Sequence, residues 1–278
     1  MIKKITTLNE MFTARRSMQG LVGIVPTMGF LHEGHLSLIR RSLQENANTV
    51  VTIFINPTQF GPNEDLAKYP RDPMGDLEKI GGLGDVWVWM PDKKDMYPQG
   101  FQTWVNVTEI TQPLEGEMRP GHFQGVTTIV AKLFNAVQPD NAYFGQKDVQ
   151  QATVIQQMTQ DLSYPIQITI CPTVREKDGL AMSSRNAYLS EKERKAAPVL
   201  YKALMLAKKV YELGERDPQK LIGQVRKTIH QEPLATVQYI QCSDRMTLQN
   251  CESPIVNGAI ISLAVYFGQT RLIDNIIL

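Results

Sequence analysis

The chain has 278 residues, 42% of them hydrophobic and 21% charged, with a formal net charge of +1. That length fits one large domain plus a smaller one, and the composition is that of an ordinary soluble globular protein, which argues against disorder and gives no electrostatic reason for nucleic acid or an anionic membrane as partner. The three cysteines, Cys171, Cys242 and Cys251, form no C-x-x-C pair, no apolar block follows the basic N-terminus, and no run nears the roughly 18 apolar residues of a membrane span, so a reducing, cytoplasmic location is expected without disulfide framework, zinc site or signal peptide.

In chain order, residues 21–25 form a short apolar run stopped by Pro26, residues 49–55 a β-branched run stopped by Asn56-Pro57, and residues 85–90 a third run stopped by Pro91. Each reads as a strand buried on both faces. Residues 36–45 read as a helix between the first two. Residues 124–137 carry Val126, Ile129, Val130, Leu133, Phe134 and Val137 on one helical stripe. A short strand over 141–145, a helix from Asp148 to about Leu162 and a strand over 166–174 complete a βαβ pattern, which predicts a parallel sheet with right-handed crossovers. After Asp178-Gly179 the pattern changes to a long charged helix over 191–213, a second over 218–230, and strands over 237–241, 259–267 and 270–278. The fold class is therefore α/β, a Rossmann-like parallel sheet with helices on both faces (residues 1–176), plus a smaller C-terminal α+β lid domain (residues 177–278).

Four segments carry residues suited to chemistry. Pro26-Thr27-Met28-Gly29-Phe30-Leu31-His32-Glu33-Gly34-His35 follows the first predicted strand and enters a helix. Ligands of open α/β sheets bind at the carboxyl ends of strands, and helix N-termini suit phosphate. His32 and His35, three apart, can face one side of a first turn and donate to phosphate oxygens; the plainer alternative is a helix cap. Zinc is disfavoured, since the spacing is not His-Glu-x-x-His and no third ligand is evident. At the end of the second predicted strand, Asn56 and Gln59 are amides able to orient a small polar substrate, or else an Asn-Pro turn.

In the third segment, Gly145-Gln146-Lys147-Asp148, again strand then helix, Lys147 can hold phosphate as a point charge. Asp148 serves as N-cap or takes a ligand hydroxyl, and Gln151 lies one turn in. The fourth, residues 179–186 with Met182-Ser183-Ser184-Arg185, offers two hydroxyls and a guanidinium to close over a triphosphate, or is a polar linker with a cap. Arg119-Pro120-Gly121-His122-Phe123 offers a cationic wall, and residues 63–72 read as a lid or a solvated loop. No P-loop and no Gly-x-Gly-x-x-Gly fingerprint is present.

Together these segments, from about residue 20 to about residue 190, resemble the pantothenate synthetase family. His32-Glu33-Gly34-His35 is similar to the His-x-Gly-His signature of the wider nucleotidyltransferase superfamily, and Met182 to Arg185 to its Lys-Met-Ser-Lys-Ser-like loop. Pro26-Thr27-Met28-Gly29, Asn56-Pro57-x-Gln59-Phe60, the Arg119–Phe123 stretch and residues 145–151 narrow the likeness to this family. The resemblance implies ATP-dependent condensation of pantoate with beta-alanine through a pantoyl adenylate, with release of AMP and pyrophosphate.

It further implies that Met28 through His35, Gly145, Gln146, Lys147, Asp148, Val174 and Met182 to Arg185 form the ATP site. Within that site His35 has a proton-donor role, His32 and Lys147 attend the phosphates, and Asp148 attends the ribose. Gln59, Gln151 and Asn56 are implied to hold pantoate and beta-alanine. Mg²⁺ is implied to accompany ATP, and a homodimer is implied. One departure is Gln146, where the family pattern has Glu, which removes a charge beside Lys147. The rival readings are a nucleotidyltransferase that keeps the nucleotidyl group on its product, and a nucleotide-binding protein without turnover.

Overall fold

The computed structural model describes residues 1–62 and 64–278; Asn63, the first residue of the lid-or-loop segment, lies outside the described residues. The first unit runs β1 (Ile2–Ile5), α1 (Leu8–Ser17), β2 (Val22–Thr27), α2 (Glu33–Glu45), β3 (Asn48–Ile53), α3 (Pro73–Gly81), β4 (Val86–Trp89), and the short α4 (Lys93–Met96) and α5 (Glu115–Met118). It continues through α6 (His122–Val137), β5 (Asn141–Gly145), α7 (Val149–Asp161) and β6 (Gln167–Cys171). Its strands form one parallel six-stranded sheet in the order β1-β4-β3-β2-β5-β6.

Alternate residues of each strand supply opposite faces. Ile24, Val50, Ala142 and Phe144 pack with the apolar stripes of α1, α6 and α7. Their neighbours Val25, Val51 and Tyr143 pack instead with Leu38 and Ile39 of α2 and Ile80 of α3. Burial on both faces is why these strands read as unbroken apolar runs rather than alternating ones. The second unit comprises α8 (Glu191–Ala196), α9 (Val199–Glu212), α10 (Pro218–Ile229) and the antiparallel sheet β7 (Ala235–Ser243), β8 (Ile260–Phe267) and β9 (Thr270–Ile277). Leu200, Leu204, Leu221 and Val225 pack on Leu263, Val265 and Leu272 in its separate core.

Several element boundaries differ from the sequence expectation. The edge strand β1 and helices α1 and α3 were not anticipated; they are short, and α1 has only Met11 and Ala14 buried, so its stripe is faint. The helix expected over 191–213 is two helices, because Pro198 lacks the N–H to continue the ladder and stands as N-cap of α9. The last strand of the parallel sheet stops at Cys171 rather than at 174. Pro26 does not stop β2, which continues to Thr27. There β2 pairs with β3 through Thr27↔Ile53, while its pairing with β5 goes no further than Ile24↔Ala142. Beyond that point β2 and β5 part, and a proline without an N–H costs no ladder bond on that side. β2 is the switch point of the sheet, with β3 on one side and β5 on the other, and the parting opens a crevice at its carboxyl end.

Candidate active site

The crevice holds a cavity of about 230 Å³. Its walls come from the loops after β2, β3, β5 and β6, with α6 as its floor. Among the residues singled out in the sequence, Met28, His32, Gly34, His35, Asn56 and Gln59 line it. So do Gly145, Lys147, Asp148, Gln151, Val174 and the run Met182 to Arg185. Gly29, Phe30, Leu31, Glu33 and Gln146 stand off the lining. Leu31 is buried in the core around α2, Glu33 pairs outward with Arg40, and Gln146 reaches back to Asn275 at 3.5 Å.

Helix α2 starts at Glu33, three residues before the expected Leu36, because the histidine segment caps it. His32 Nδ1 accepts from Gly34 N at 3.2 Å, and His35 Nδ1 accepts from His32 N at 3.3 Å. A backbone N–H only donates, so both Nδ1 atoms are acceptors and both neutral rings carry their proton on Nε2. The cap and the candidate phosphate contact therefore use different nitrogens of the same rings. The rings lie 4.1 Å apart, centroid to centroid. Burial, with Lys147 nearby, pushes His32 down to about 4. Burial, then His32 and Lys147, hold His35 well below its usual range. At neutral pH the crevice thus presents two uncharged N–H donors beside one ammonium, Lys147.

The loop before this helix is shaped from a distance. Gly29 has φ +83°, a conformation that suits glycine. The carboxylate of Asp76 on α3, 1% exposed, accepts from Phe30 N at 2.8 Å and Leu31 N at 2.7 Å. Nothing local in the sequence marks Asp76 for this; it is 46 residues from Phe30.

After β3, Asn56 is 1% exposed. Its amide donates to Gln59 Oε1 at 3.1 Å and Gly125 O at 3.0 Å, and its Oδ1 accepts from Tyr97 and Thr58 hydroxyls at 2.8 and 2.9 Å. That saturates it. Asn56 holds Gln59 in place, and Gln59 Nε2 points to Met28 Sδ at 3.1 Å. His122 carries the reverse tautomer to the other two histidines. Its Nε2 faces Arg119 Nη1 at 3.1 Å, which can only donate, so its Nδ1–H donates to Gln59 O at 2.8 Å. Burial, then the Arg119 charge, push it to about 4.

The remaining wall is an exchange of charges. Arg185 donates twice to Asp65, at 3.0 and 2.9 Å, and Arg119 twice to Glu64, at 2.8 and 2.7 Å. Burial alone would raise both carboxyls, but the arginine bonds outweigh it and keep them below their usual range. The segment after Asn63 is thus a wall rather than a solvated loop, and its Tyr69, 6% exposed, also lines the cavity. Tyr69 and Thr173 lie in the lining without having been singled out for chemistry, and Phe60 lies there too, having been noted only as part of the family motif.

The histidine assignment is open to test in the ligand-free protein. Nitrogen chemical shifts should give Nε2–H tautomers for His32 and His35 and Nδ1–H for His122. His32 and His122 should titrate near 4, not near the ordinary value of about 6.5. A midpoint near 6.5 for His32 would refute the neutral-donor picture. The sign for stability follows: an unfolded chain takes up these protons below about pH 6.5 while the native state does not, so stability falls as pH drops from there.

A model of the pantoate-beta-alanine ligase family matches residues 1–277. The chain belongs to the pantoate-beta-alanine ligase family. It is 52% identical over 274 residues to the pantothenate synthetase of Herpetosiphon aurantiacus, covering 99% of each chain. It superposes on the pantothenate synthetase of Thermus thermophilus with a TM-score of 0.94 at 43% identity, covering 99% of this chain and 98% of that one. The pantoate-beta-alanine ligase of Francisella tularensis, solved in complex with beta-gamma ATP and beta-alanine, superposes with a TM-score of 0.81 at 34% identity, covering 100% and 98%. Among the described residues, no helix is long and apolar enough to cross a membrane.

Proposed function

We propose that the chain condenses pantoate with beta-alanine at the expense of ATP. A pantoate carboxylate oxygen attacks the α-phosphorus, the bond to the bridging oxygen breaks, and pyrophosphate leaves. The amine of beta-alanine then attacks the acyl carbon of the pantoyl adenylate, AMP leaves with the bond pair, and the amine's proton passes to solvent. The observation that carries this reading is the meeting of His32, His35, Lys147 and the Ser183-Ser184-Arg185 run around one crevice at the switch point of the sheet, in a chain of this family.

In this reading Nε2–H of His35 and His32, with Lys147, stabilise the charge that develops on the phosphates. Ser183, Ser184 and Arg185 complete the triphosphate site with Met28, Gly34, Gly145 and Val174, while Gly29, Phe30, Leu31, Glu33 and Gln146 support its loops. Asp148 takes the ribose. Gln59 and Gln151 hold pantoate, and Asn56 acts through Gln59. Positioning supplies most of the remaining acceleration. Mg²⁺ fits as a companion of the nucleotide rather than a resident ion. Among the described residues no three His, Cys, Asp or Glu side chains gather, and Mg²⁺ on a nucleotide is commonly held largely by phosphates and waters; it would offset the charge of the leaving pyrophosphate. We also assign the boundary to residues 1–176 and 177–278, the latter a lid, with a homodimeric, cytoplasmic protein.

The test is AMP release with each substrate omitted in turn. AMP should form at catalytic rates only with ATP, pantoate and beta-alanine together. A stable nucleotidylated product would overturn the reading in favour of a nucleotidyltransferase, and ATP binding without turnover in favour of a binding protein.

A further inference from the structure

The turn Gln146–Asp148 carries Lys147 into the crevice, yet it has no side-chain cap of its own. Its carbonyls are instead satisfied from the other unit. Asn275 on β9, 2% exposed, donates from Nδ2 to Gln146 O at 2.9 Å and to Lys147 O at 2.9 Å. Its own backbone N–H is taken by Asp274 Oδ1 at 2.8 Å. Asp274 is paired in turn with Arg175, at 2.6 and 2.9 Å. Arg175 bridges to Ala181, and Met182 N donates to Val174 O at 3.0 Å, which brings the Met182 to Arg185 run to the crevice. Two successive residues of one strand, 127 and more positions away in sequence from Lys147, therefore fasten both phosphate-facing segments.

We propose that Asn275 is a positioning residue for the adenylation step, setting the turn from which Lys147 reaches the phosphates. The proposal rests on the reading of the crevice given above. Both Nδ2 hydrogens are used on adjacent carbonyls, so the turn is held at two points rather than one. Without them, two part-buried carbonyls lose their donor, and the turn relaxes toward whatever else can donate. A lysine acting as a point charge is then displaced from where charge develops, and displacements of about 1 Å cost about 10²-fold in rate. The second step needs no pyrophosphate contact and should be spared.

The experiment uses the full-length enzyme and Asn275→Ala, with Asn275→Ser as the variant that keeps one donor. Two rates are compared: pantoate-dependent exchange of labelled pyrophosphate into ATP, and conversion of supplied pantoyl adenylate by beta-alanine. Exchange by the unmodified enzyme tests the functional reading itself, and its absence would sink that reading independently of Asn275. Given exchange, Asn275→Ala should lower it by about 10²-fold, with the aminolysis rate close to unmodified and Asn275→Ser intermediate. Should the alanine variant fail to fold, the serine variant reads the same ratio. Equal loss of both rates, or an unchanged exchange rate, overturns the proposal.

Discussion

His35→Ala should slow pantoate-dependent pyrophosphate release by about 10²-fold or more, the usual cost of deleting a transition-state donor. The ring offers one free hydrogen, on Nε2, because Nδ1 is occupied by His32 N. Since the ring stays uncharged far below neutrality, it acts as a dipolar donor, and its loss removes stabilisation when negative charge builds on the phosphates. The same substitution also removes one hydrogen bond of the α2 capping box, His32 N to His35 Nδ1, worth about 0.5–1.5 kcal/mol. A melting curve separates the two effects: a modest fall in melting temperature with a large fall in rate is expected. Near-normal turnover in a folded variant would contradict the assigned role.

Gly125→Ala should also impair the enzyme, for a different reason. Gly125 lies near the start of α6, against the turn that carries Gln59. A Cβ there would collide with Thr58 O and sit 2.5 Å from Thr58 C and 2.7 Å from Gln59 N. These are backbone atoms, so no side chain can swing aside. Helix α6 is fixed by buried Val126, Ile129 and Val130, so the turn must yield. Overpacking of this kind costs about 1–3 kcal/mol. Because Asn56 clasps both Gly125 O and Gln59, Gln59 moves with the turn. KM for pantoate should rise about tenfold or more, a change worth about 1.4 kcal/mol, with KM for ATP nearly constant. The control is Gly223→Ala in α10, where a Cβ meets nothing within 4 Å; it should be neutral or stabilise by up to about 1 kcal/mol. A parallel rise in both KM values for Gly125→Ala would mean a distorted crevice rather than a displaced turn.

What was legible in the sequence follows from how local each signal is. The strands β2, β3, β4 and β5 were readable because burial on both faces fills them with apolar and β-branched residues, and α6 because its stripe is nearly unbroken. The crevice segments were readable because each motif sits directly after a strand, where a parallel sheet delivers its loops. What stayed hidden depends on contacts distant in the chain. Asp76 holding the Phe30 and Leu31 amides, Asn275 holding the Lys147 turn, and Glu64 and Asp65 pairing with arginines have no spacing that announces them. Asn56 was legible as a residue of interest but not as one whose every valence is spent inside the protein. The first two histidines do form a cap, through Nδ1 of each ring, which leaves Nε2 of each for the phosphate contact proposed above.

The carboxylates of Glu64 and Asp65 are paired with Arg119 and Arg185 in the wall of the crevice. In the reading proposed above, a triphosphate gains Arg185 only by displacing Asp65, an internal anion already paired with it. Entry is then a substitution, with roughly as many ionic contacts surrendered as acquired. Affinity for nucleotide should accordingly be moderate, and departure of pyrophosphate should be quick, since a tethered carboxylate is always at hand to reclaim the vacated guanidinium.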